Sequence, residues 1–457
     1  MPFSSCATIN QLTQAMVNAQ DSVFVIKKQY DLNGETISFP EEMVLKFAGG
    51  KLMNGVIDGN RSKIISNQDT PLFGENITIN GSWIVPDIYD TWFEFEQDSC
   101  SASNGLISNM LALASDSIDN QINFNRNVTY YIEHPYVGDV QIGDQVSFEY
   151  TETGSRKFHY REIFDDDFSY LRIFTIPSNV RICINSHLQL LPTELGAYFI
   201  FWGKGKENIT IYGNGSIAGD RVKHKYSTTF RKGNKSYYGE WGMILTFLNC
   251  YNVVVKDITL CDSFGDCLMF MGDDTKGNKI PRLGQNFIAE NVKVISSRRQ
   301  GFALGGHNII IKNCHFENCG IYDFNATAID IEPSSVLMYP DLGCANVLIE
   351  NCTFKNNLID LNIYRNAEQD YGEVTVTVKN IIFTSPISMN RSNWVLFDNC
   401  EIPSFGNAKD QTPIIFNFCN HILFNNCKIG KINRNSFIKS MSKGALYKDC
   451  EILEYIK

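Results

Sequence analysis

The feature that most constrains this chain is a repeat in its second half, in which a short β-branched strand closes on Asn or Asp. The strands read NVVVKD, NFIAEN, NIIIKN, NVLIEN, TVTVKN, WVLFDN and HILFNN. The residues after the closing positions are Ile258, Val292, Cys314, Cys352, Ile381, Cys400, Cys427 and Cys450, with spacings of 34, 22, 38, 29, 19, 27 and 23 residues. A minimum near 20 residues with variable insertions is typical of a solenoid whose loops grow at some corners. No helical period lies between the runs, so the pattern predicts a β-solenoid.

Stacking explains two further patterns. Each coil of such a solenoid leaves one strand face apolar, and only the next coil, about 4.8 Å away, buries it. Asn tolerates the left-handed backbone of a tight corner, and its amide can bond to the neighbouring coil. We therefore predict a structural ladder of Asn291, Asn313, Asn351, Asn380, Asn399 and Asn426. The cysteines that recur at one repeat position are expected to be buried, stacked thiols.

Composition narrows the classes of function. The chain has 457 residues, 44% of them hydrophobic and 20% charged, and a net charge of −10. That charge argues against binding to nucleic acid or to anionic membranes, but not against an anionic polysaccharide held in a locally basic cleft. The 14 cysteines include no CxxC pair, so neither a zinc site nor another cofactor is expected. The sequence contains no signal peptide and no run of 18 apolar residues, which predicts a soluble protein.

Three segments are expected within what we interpret as one continuous domain. Residues 1–125 form N-terminal coils, with one capping helix in the stretch SASNGLISNMLALASDSI. Residues 126–207 form a β excursion and early coils, and residues 208–457 form the main β-helix that carries the functional face.

Several stretches resemble a known superfamily. FPEEMVLKFAGGKLMNG resembles an N-terminal coil, IPSNVRICINSHLQL and NITIYGNGSIAGDR resemble middle coils, and SFGDCLMF, RRQGFAL and TAIDIEP resemble a recurring bacterial set. Together they are similar to the pectate-lyase-like superfamily, which includes polygalacturonases, pectate lyases and phage tailspike depolymerases. The resemblance covers most of the chain and implies an all-β, single-stranded, right-handed parallel β-helix. It also implies a polysaccharide or oligosaccharide partner, an extracellular, periplasmic or virion-associated role, and a monomer or homotrimer. The polygalacturonase pattern of NTD, GHG and RIK is missing, so the reaction is not defined by it.

Aligning the second strands of successive coils locates a candidate site. The alignment uses the small residues Gly242, Cys267, Gly301 and Ala328 and predicts Met243, Leu268, Phe302 and Ile329 to point inward. Asp330 then points outward, between Ala303 below and Asn362 above. Trp241, Asp266, Gln300 and Thr327 share a row, and Tyr322 is a further aromatic near the face. The expected catalytic residues are Asp266, Asp330, Glu332 and Arg299, and the expected substrate-binding residues are Glu240, Trp241, Arg298, Gln300, His307, Asn362 and Tyr364.

Clustered carboxylates suit glycoside hydrolysis, which needs one carboxylic acid and one carboxylate. Like charges raise one another's pKa, which supplies the acid. Asp330 and Asp266 are the first choice, and Glu332 and Glu240 are the reserve pair. Arg298, Arg299 and Gln300 would hold hydroxyls or a uronate carboxylate.

Two alternatives remain at this stage. A lyase acting by β-elimination on a uronate polymer would use Arg299 as base or neutraliser, or His224 or His307 near neutral pH. In that case Asp266, Asp330 and Glu332 would bind Ca²⁺. A non-catalytic adhesin or phage tail fibre would bind glycan without cleaving it.

Overall fold

The computed structural model describes residues 10–96, 102–114, 118–135, 149–150, 156–157, 166–225, 231–232, 235–236, 241–272, 284–320, 326–332, 345–364, 376–390, 392–403, 414–417, 419–433 and 445–456. The chain divides into two compact units. Unit 1 comprises Met1–Glu133, Ile176–Gln189 and Asn208–Gly215, and unit 2 comprises His134–Thr175, Leu190–Glu207 and Ser216–Lys457. No helix in the described ranges is long and apolar enough to cross a membrane.

Short strands dominate the first half of the chain. They are β1 (Asn10–Gln11), β2 (Val23–Ile26), β3 (Gln29–Asp31), β4 (Thr36–Ser38), β5 (Val44–Phe47), β6 (Lys51–Met53), β7 (Gly55–Ser66), β8 (Ile77–Trp83), β9 (Asp87–Tyr89), β10 (Asn120–Phe124), β11 (Thr129–Ile132), β12 (Glu149–Tyr150), β13 (Arg156–Lys157), β14 (Arg172–Thr175), β15 (Val180–Ile184), β16 (His187–Leu190), β17 (Ala197–Lys204), β18 (Glu207–Tyr212), β19 (Ser216–Ala218), β20 (Arg231–Lys232) and β21 (Lys235–Ser236). The helices are α1 (Gln14–Asn18) and α2 (Asn104–Leu113), with 3₁₀ turns at Asp90–Trp92 and Asp166–Leu171.

The strands of the second half repeat more regularly. They are β22 (Trp241–Leu248), β23 (Tyr251–Lys256), β24 (Thr259–Cys261), β25 (Leu268–Met271), β26 (Gly284–Glu290), β27 (Lys293–Ile295), β28 (Phe302–Leu304), β29 (Gly306–Lys312), β30 (His315–Glu317), β31 (Ile329–Ile331), β32 (Ala345–Glu350), β33 (Thr353–Lys355), β34 (Leu361–Tyr364), β35 (Val376–Lys379), β36 (Ile387–Asn390), β37 (Asn393–Asp398), β38 (Glu401–Ile402), β39 (Ile414–Asn417), β40 (Asn420–Asn425), β41 (Lys428–Asn433), β42 (Ala445–Lys448) and β43 (Glu451–Ile456).

The predicted helix is present and closes a strand edge in unit 1. The buried side chain of Asn109, in α2, accepts a hydrogen bond from the Ile79 backbone N–H and donates one to the Ile77 carbonyl, both at 2.9 Å. It thereby satisfies backbone groups of β8 as a neighbouring strand would. Leu106, Ile107, Met110 and Leu113 are buried, as their helical spacing predicts. The short helix α1 is an element that the sequence analysis did not predict.

Unit 2 contains three stacks of parallel strands that recur once per coil. One stack, which we call the site sheet, runs β14, β17, β22, β25, β28, β31, β34, β36, β39. A second, the long sheet, runs β23, β26, β29, β32, β35, β37, β40, β42 within this unit, and a third includes β19, β24, β27, β30 and β33. This is the predicted single-stranded parallel β-helix. Parallel crossovers of this kind are right-handed as a rule.

Ladders of like residues stabilise the stack. The site sheet points Leu268, Phe302, Ile329, Leu361 and Ile387 into the core at one register position. Elsewhere in the core, Phe354 stacks between Phe316 and Phe383 at centroid distances of 5.5 and 5.6 Å. These distances are close to the spacing of adjacent strands, so each coil places its ring directly on the one below.

The predicted Asn ladder is confirmed. All six of its residues have a positive φ, between 50° and 55°. Asn380 donates to Asn351 at 3.1 Å, and Asn399 donates to Asn380 at 2.8 Å. Of the cysteines at this repeat position, Cys314, Cys352, Cys400 and Cys427 are buried free thiols, whereas Cys450 is only half-buried.

Candidate functional site on the outer face of the site sheet

Asp330 lies where the sequence predicts it, on the outer face of the site sheet. Its Cα partners are Ala303 on the coil below and Asn362 on the coil above. Ile329 and Ile331, on either side of it, point into the core and are buried. The alternation of a strand therefore holds the Asp330 carboxyl on the opposite face.

Two amides donate hydrogen bonds to the Asp330 carboxyl. Gln300 Nε2 donates to Oδ2, and Asn362 Nδ2 donates to Oδ1 at 2.8 Å. Asp330 is only 2% exposed. Burial, the charge of Glu332 and a hydrogen bond to Glu332 raise the pKa of Asp330 well above its ordinary value, against the opposing effects of Asn362 and Arg299. A group of this kind carries a proton at a pH where an exposed Asp would have lost it.

Glu332 directly follows β31, two residues after Asp330. The sequence predicts the two carboxyl groups roughly 7 Å apart, since both point outward from one strand. The charge of Glu332 adds to burial in raising the pKa of Asp330, because a neighbouring carboxylate disfavours the ionised form.

Asp266 is a second buried carboxylate with different partners. Its Oδ1 lies 3.0 Å from Arg299 Nε and accepts a 3.0 Å hydrogen bond from the backbone N–H of Gln300. Asp266 is 0% exposed. The guanidinium stabilises the ionised form of this carboxylate through a charge-assisted contact. Asp266 thus has a cation as a direct partner, whereas two neutral amides donate to Asp330.

Gln300 connects the two carboxyl groups. Its backbone N–H binds Asp266, and its side-chain amide binds Asp330. Arg299 Nη2 donates to Gln300 Oε1 at 3.3 Å, which orients the amide with its NH₂ group toward Asp330. The sequence predicted this residue to bind substrate, whereas here its polar atoms contact the two carboxylates and Arg299.

Arg298 does not point at the carboxylates. It is 6% exposed, and its guanidinium lies over the Phe264 ring, 4.8 Å from the centroid. The ring of His224 also stacks on Phe264, with centroids 3.8 Å apart. The prediction that Arg298, Arg299 and Gln300 hold hydroxyls or a uronate carboxylate stays a prediction.

A second polar cluster, which the sequence analysis missed apart from His224, lies beside that stack. His224 Nδ1 is 2.9 Å from Asp220 Oδ2, and Tyr198 Oη donates to Asp220 Oδ1 at 2.7 Å. Burial and Asp220 raise the pKa of Tyr198 well above its ordinary value. All three side chains are buried, so the cluster joins strand β17 to the segment after β19. Asp220 and His224 are four residues apart, whereas Tyr198 comes from an earlier coil.

The alignment of β22 is wrong by two residues. Leu245, and not Met243, pairs with Leu268, and Thr246 pairs with Met269. Trp241 therefore does not share a row with Asp266. Gly242 is small for another reason: a Cβ there would lie 2.6 Å from the Phe264 ring.

Trp241 packs in apolar surroundings. It is 2% exposed and belongs to an apolar cluster with Leu171, Trp202, Met243 and Met269. The cluster extends to Ala303, the Cα partner of Asp330. An apolar wall thus lies directly below the acidic group. The strand AYFIFWGK, apolar on both faces, is the sequence signal that predicts such a covered outer surface.

The remaining predicted residues are placed as follows. His307 belongs to β29 in the long sheet, and not to the site sheet, and its Cα partners are Gln285 and Ala345. Glu332 is half-buried and follows β31 directly. Tyr364 pairs with Asn390 through its backbone. Glu240 and Tyr322 lie outside the described residues.

Among the residues that the structure describes, no group of three or more His, Cys, Asp or Glu side chains could hold a metal ion. Arg299, in contact with a buried carboxylate, is held in its charged form and is poorly suited to act as a base.

The fold and site define a parallel β-helix protein with a carboxylate cluster on one lateral face. Searches with the sequence found no matching family model and no matching curated protein. Among solved structures, the chain is similar to a putative glycosyl hydrolase from Parabacteroides merdae, with 15% identity over 59% of this chain and 95% of that one and a TM-score of 0.36.

Two further solved structures show the range of proteins with this architecture. Polygalacturonase from Erwinia carotovora matches with 11% identity over 79% of this chain and 94% of its own, at a TM-score of 0.43. The Streptococcus pneumoniae surface adhesin PfbA matches with 11% identity over 97% of this chain and 92% of its own, at a TM-score of 0.37. At such identities the likeness concerns the fold, and the chemistry follows from the residues of this chain.

Proposed function

We propose that this protein is a glycoside hydrolase that cleaves a polysaccharide, with Asp330 as general acid and Asp266 as the second carboxylate. The observation that carries the proposal is the contrast between the two groups. Asp330 is a buried carboxyl whose pKa is raised by burial and by Glu332, whereas Asp266 contacts a guanidinium. In an acid and base pair, the general acid is the carboxyl whose environment favours the protonated form. The base is the carboxyl whose environment favours the ionised form.

In this mechanism the proton on Asp330 passes to the glycosidic oxygen as the bond to the anomeric carbon breaks. Gln300 and Asn362 orient the Asp330 carboxyl, and burial together with the charge of Glu332 raises its pKa. A water molecule attacks the anomeric carbon and gives a proton to Asp266, whose ionised state Arg299 stabilises.

Hydrolysis is favoured over β-elimination by the contacts of the two arginines. A lyase needs a cation for the uronate carboxylate and a base for the C5 proton. Arg299 contacts Asp266, and Arg298 lies over Phe264. The activities named for the similar structures are those of the other proteins. The proposal for this chain depends on its own carboxylates.

The first experiment separates the reaction classes. The protein is incubated with a panel of neutral and uronate polysaccharides, and both new reducing ends and the ultraviolet absorbance of an unsaturated uronate are recorded. Hydrolysis produces reducing ends alone. If both signals rise together the reaction is elimination, and binding without either signal indicates an adhesin; either result overturns the proposal.

The second experiment tests the acid role of Asp330. On a polysaccharide, Asp330→Asn is expected to lower kcat by about 10² to 10⁴, the usual contribution of general acid catalysis. On an aryl glycoside of the same sugar the loss is expected to be much smaller, because a nitrophenolate leaves without a proton. Asp266→Asn is expected to lose activity on both substrates. Glu290→Gln, a change of an outward carboxylate in β26, is the control and is expected to leave kcat unchanged.

A further inference from the structure

The outer face of the long sheet carries an aliphatic row that the proposed reaction does not use. At one register position the outward residues are Val254, Ile288, Ile310, Leu348, Thr377, Leu396, Leu423 and Leu446. Seven of these eight side chains are aliphatic. Leu446 is 72% exposed, and the others are half-buried against their neighbours in the row.

A second outward row, two residues further along each strand, alternates in charge. Its residues in coil order are Lys256, Glu290, Lys312, Glu350, Lys379, Asp398, Asn425 and Lys448. Lys312 Nζ lies 2.9 Å from Glu290 Oε1, with side chains 38% and 31% exposed. The alternating charges attract each other between neighbouring coils. They also make this row complementary to the same row of a second copy that is displaced along it.

An aliphatic outer row is not a requirement of stacked strands. In unit 1, strands β10, β15 and β18 stack in the same parallel way. Their outward positions pair Gln121 with Arg181 and Arg181 with Thr210. The contrast indicates that the row in unit 2 serves a contact of its own. Contiguous apolar surface bordered by charges is characteristic of a protein interface.

We propose that this face binds a second copy of the chain, related by a two-fold axis parallel to the strands and lying between β29 and β32. Such an axis reverses the order of the coils and keeps each row opposite itself. Lys312 then faces Glu350 of the second copy, Glu290 faces Lys379, and Lys256 faces Asp398. Ile310 packs against Leu348 of the second copy in the adjacent row.

Charge selects this register. A shift of the axis by half a coil spacing places like charges opposite each other, for example Lys312 against itself. A shift by a whole coil spacing toward β42 places Lys256 against Lys448. The register centred between β29 and β32 is the longest overlap in which every facing pair has opposite signs, because the alternation ends at Asn425.

The size of the face predicts a weak dimer. Six strands spaced by about 4.8 Å span roughly 25 to 30 Å, and the outward rows are about 15 Å wide. The footprint is therefore about 400 Å² per copy, below the roughly 800 Å² of a standard stable interface. We expect dissociation in the micromolar range.

Sedimentation velocity of the full chain, over a concentration range of about 1 to 100 µM, tests the proposal. The wild-type protein is expected to shift from monomer to dimer across this range. Lys312→Glu and Glu350→Lys each place like charges across the axis, and each is expected to raise the dissociation constant at least tenfold. The double variant restores opposite charges and is expected to restore the dimer. Lys293→Glu changes an exposed lysine on a different sheet and is the matched control.

Each outcome decides the question. Circular dichroism and thermal melting of every variant establish that the β-helix is intact, so a lost dimer cannot be confused with unfolding. A wild-type protein that stays monomeric to 100 µM overturns the proposal. So does a trimer, or a dimer that Lys312→Glu leaves unchanged while Lys293→Glu disrupts it.

Discussion

The side-chain amide of Gln300 donates a hydrogen bond to the carboxyl of Asp330, one coil further along the β-helix. The backbone N–H of the same Gln300 donates to Asp266. One residue therefore joins two carboxyl groups that lie two coils apart. The contribution of each carboxyl and of its neighbours can be tested.

The neighbours of Asp330 should shift the pH profile in opposite directions. The charge of Glu332 and its hydrogen bond raise the pKa of Asp330, and the amide of Asn362 lowers it. A general acid works only while protonated, so its pKa sets the alkaline limb of kcat/KM. Glu332→Gln should move that limb to lower pH, and Asn362→Ala should move it to higher pH. Equal shifts in both variants, or none in either, would count against Asp330 as the acid.

Removing Arg299 should be costly because its partner is buried. Asp266 is 0% exposed, and Arg299 lies 3.0 Å from it. Arg299→Met leaves a buried carboxylate without its cation, which typically costs about 3 to 5 kcal/mol in the free energy of unfolding. Urea denaturation measures this loss. Arg299→Met combined with Asp266→Asn should recover most of it, and a double variant as unstable as the single one would show that the ion pair is not the cause.

The Asn ladder should owe its stability to the backbone as well as to the amides. Asn351 has a φ of 54°, accepts a hydrogen bond from Asn380 and donates one to Asn313. Asn351→Ala removes the side-chain amide but keeps the Cβ. A residue with a Cβ in the left-handed region costs about 1 to 2 kcal/mol in folding free energy. Asn351→Gly loses the same amide without that backbone penalty. Thermal melting should therefore rank wild type above Gly and Gly above Ala; equal losses would assign the whole effect to the ladder amides.

Asp360 should make unfolding depend on pH. Burial raises its pKa from 3.8 to about 6, although Asn357, Thr384 and Ser385 donate hydrogen bonds to it. A raised pKa in the folded state contributes stability that is complete below about 4 and lost as the pH rises through about 6. The loss for this group is roughly 3 kcal/mol.

The measurement is the difference in unfolding free energy between wild type and Asp360→Asn at several pH values. The variant carries no proton to lose, so its advantage relative to wild type should grow between pH 4 and pH 7. A difference that is constant across this range would show that Asp360 titrates normally.

Local sequence patterns predicted the coils and ladders of the β-helix well. The Asn ladder could be found because each residue individually needs a left-handed corner, which few side chains tolerate. The outward position of Asp330 could be found because a strand alternates with a period of two between Ile329 and Ile331. Both features depend on the chain within a few residues of the position concerned.

The register of β22 could not be found in the same way. A shift of one residue exchanges the two faces of a strand and is easily recognised. A shift of two residues preserves the alternation, so the apolar pattern around Met243 and Leu245 fits both registers. The small residue Gly242 matched Cys267 in size, but it is small because of the rings of Tyr198 and Phe264.

The sequence by itself determined the repeat, the parallel β-helix and the presence of Asp330 and Asn362 on one outer face. The tertiary structure decided which side chains meet there. It packed Trp241 into an apolar cluster, placed Arg298 on Phe264 and joined Gln300 to Asp266 and Asp330. The physical reason is that periodicity sets the direction of a side chain, whereas its partners depend on rotamers and on packing between distant coils.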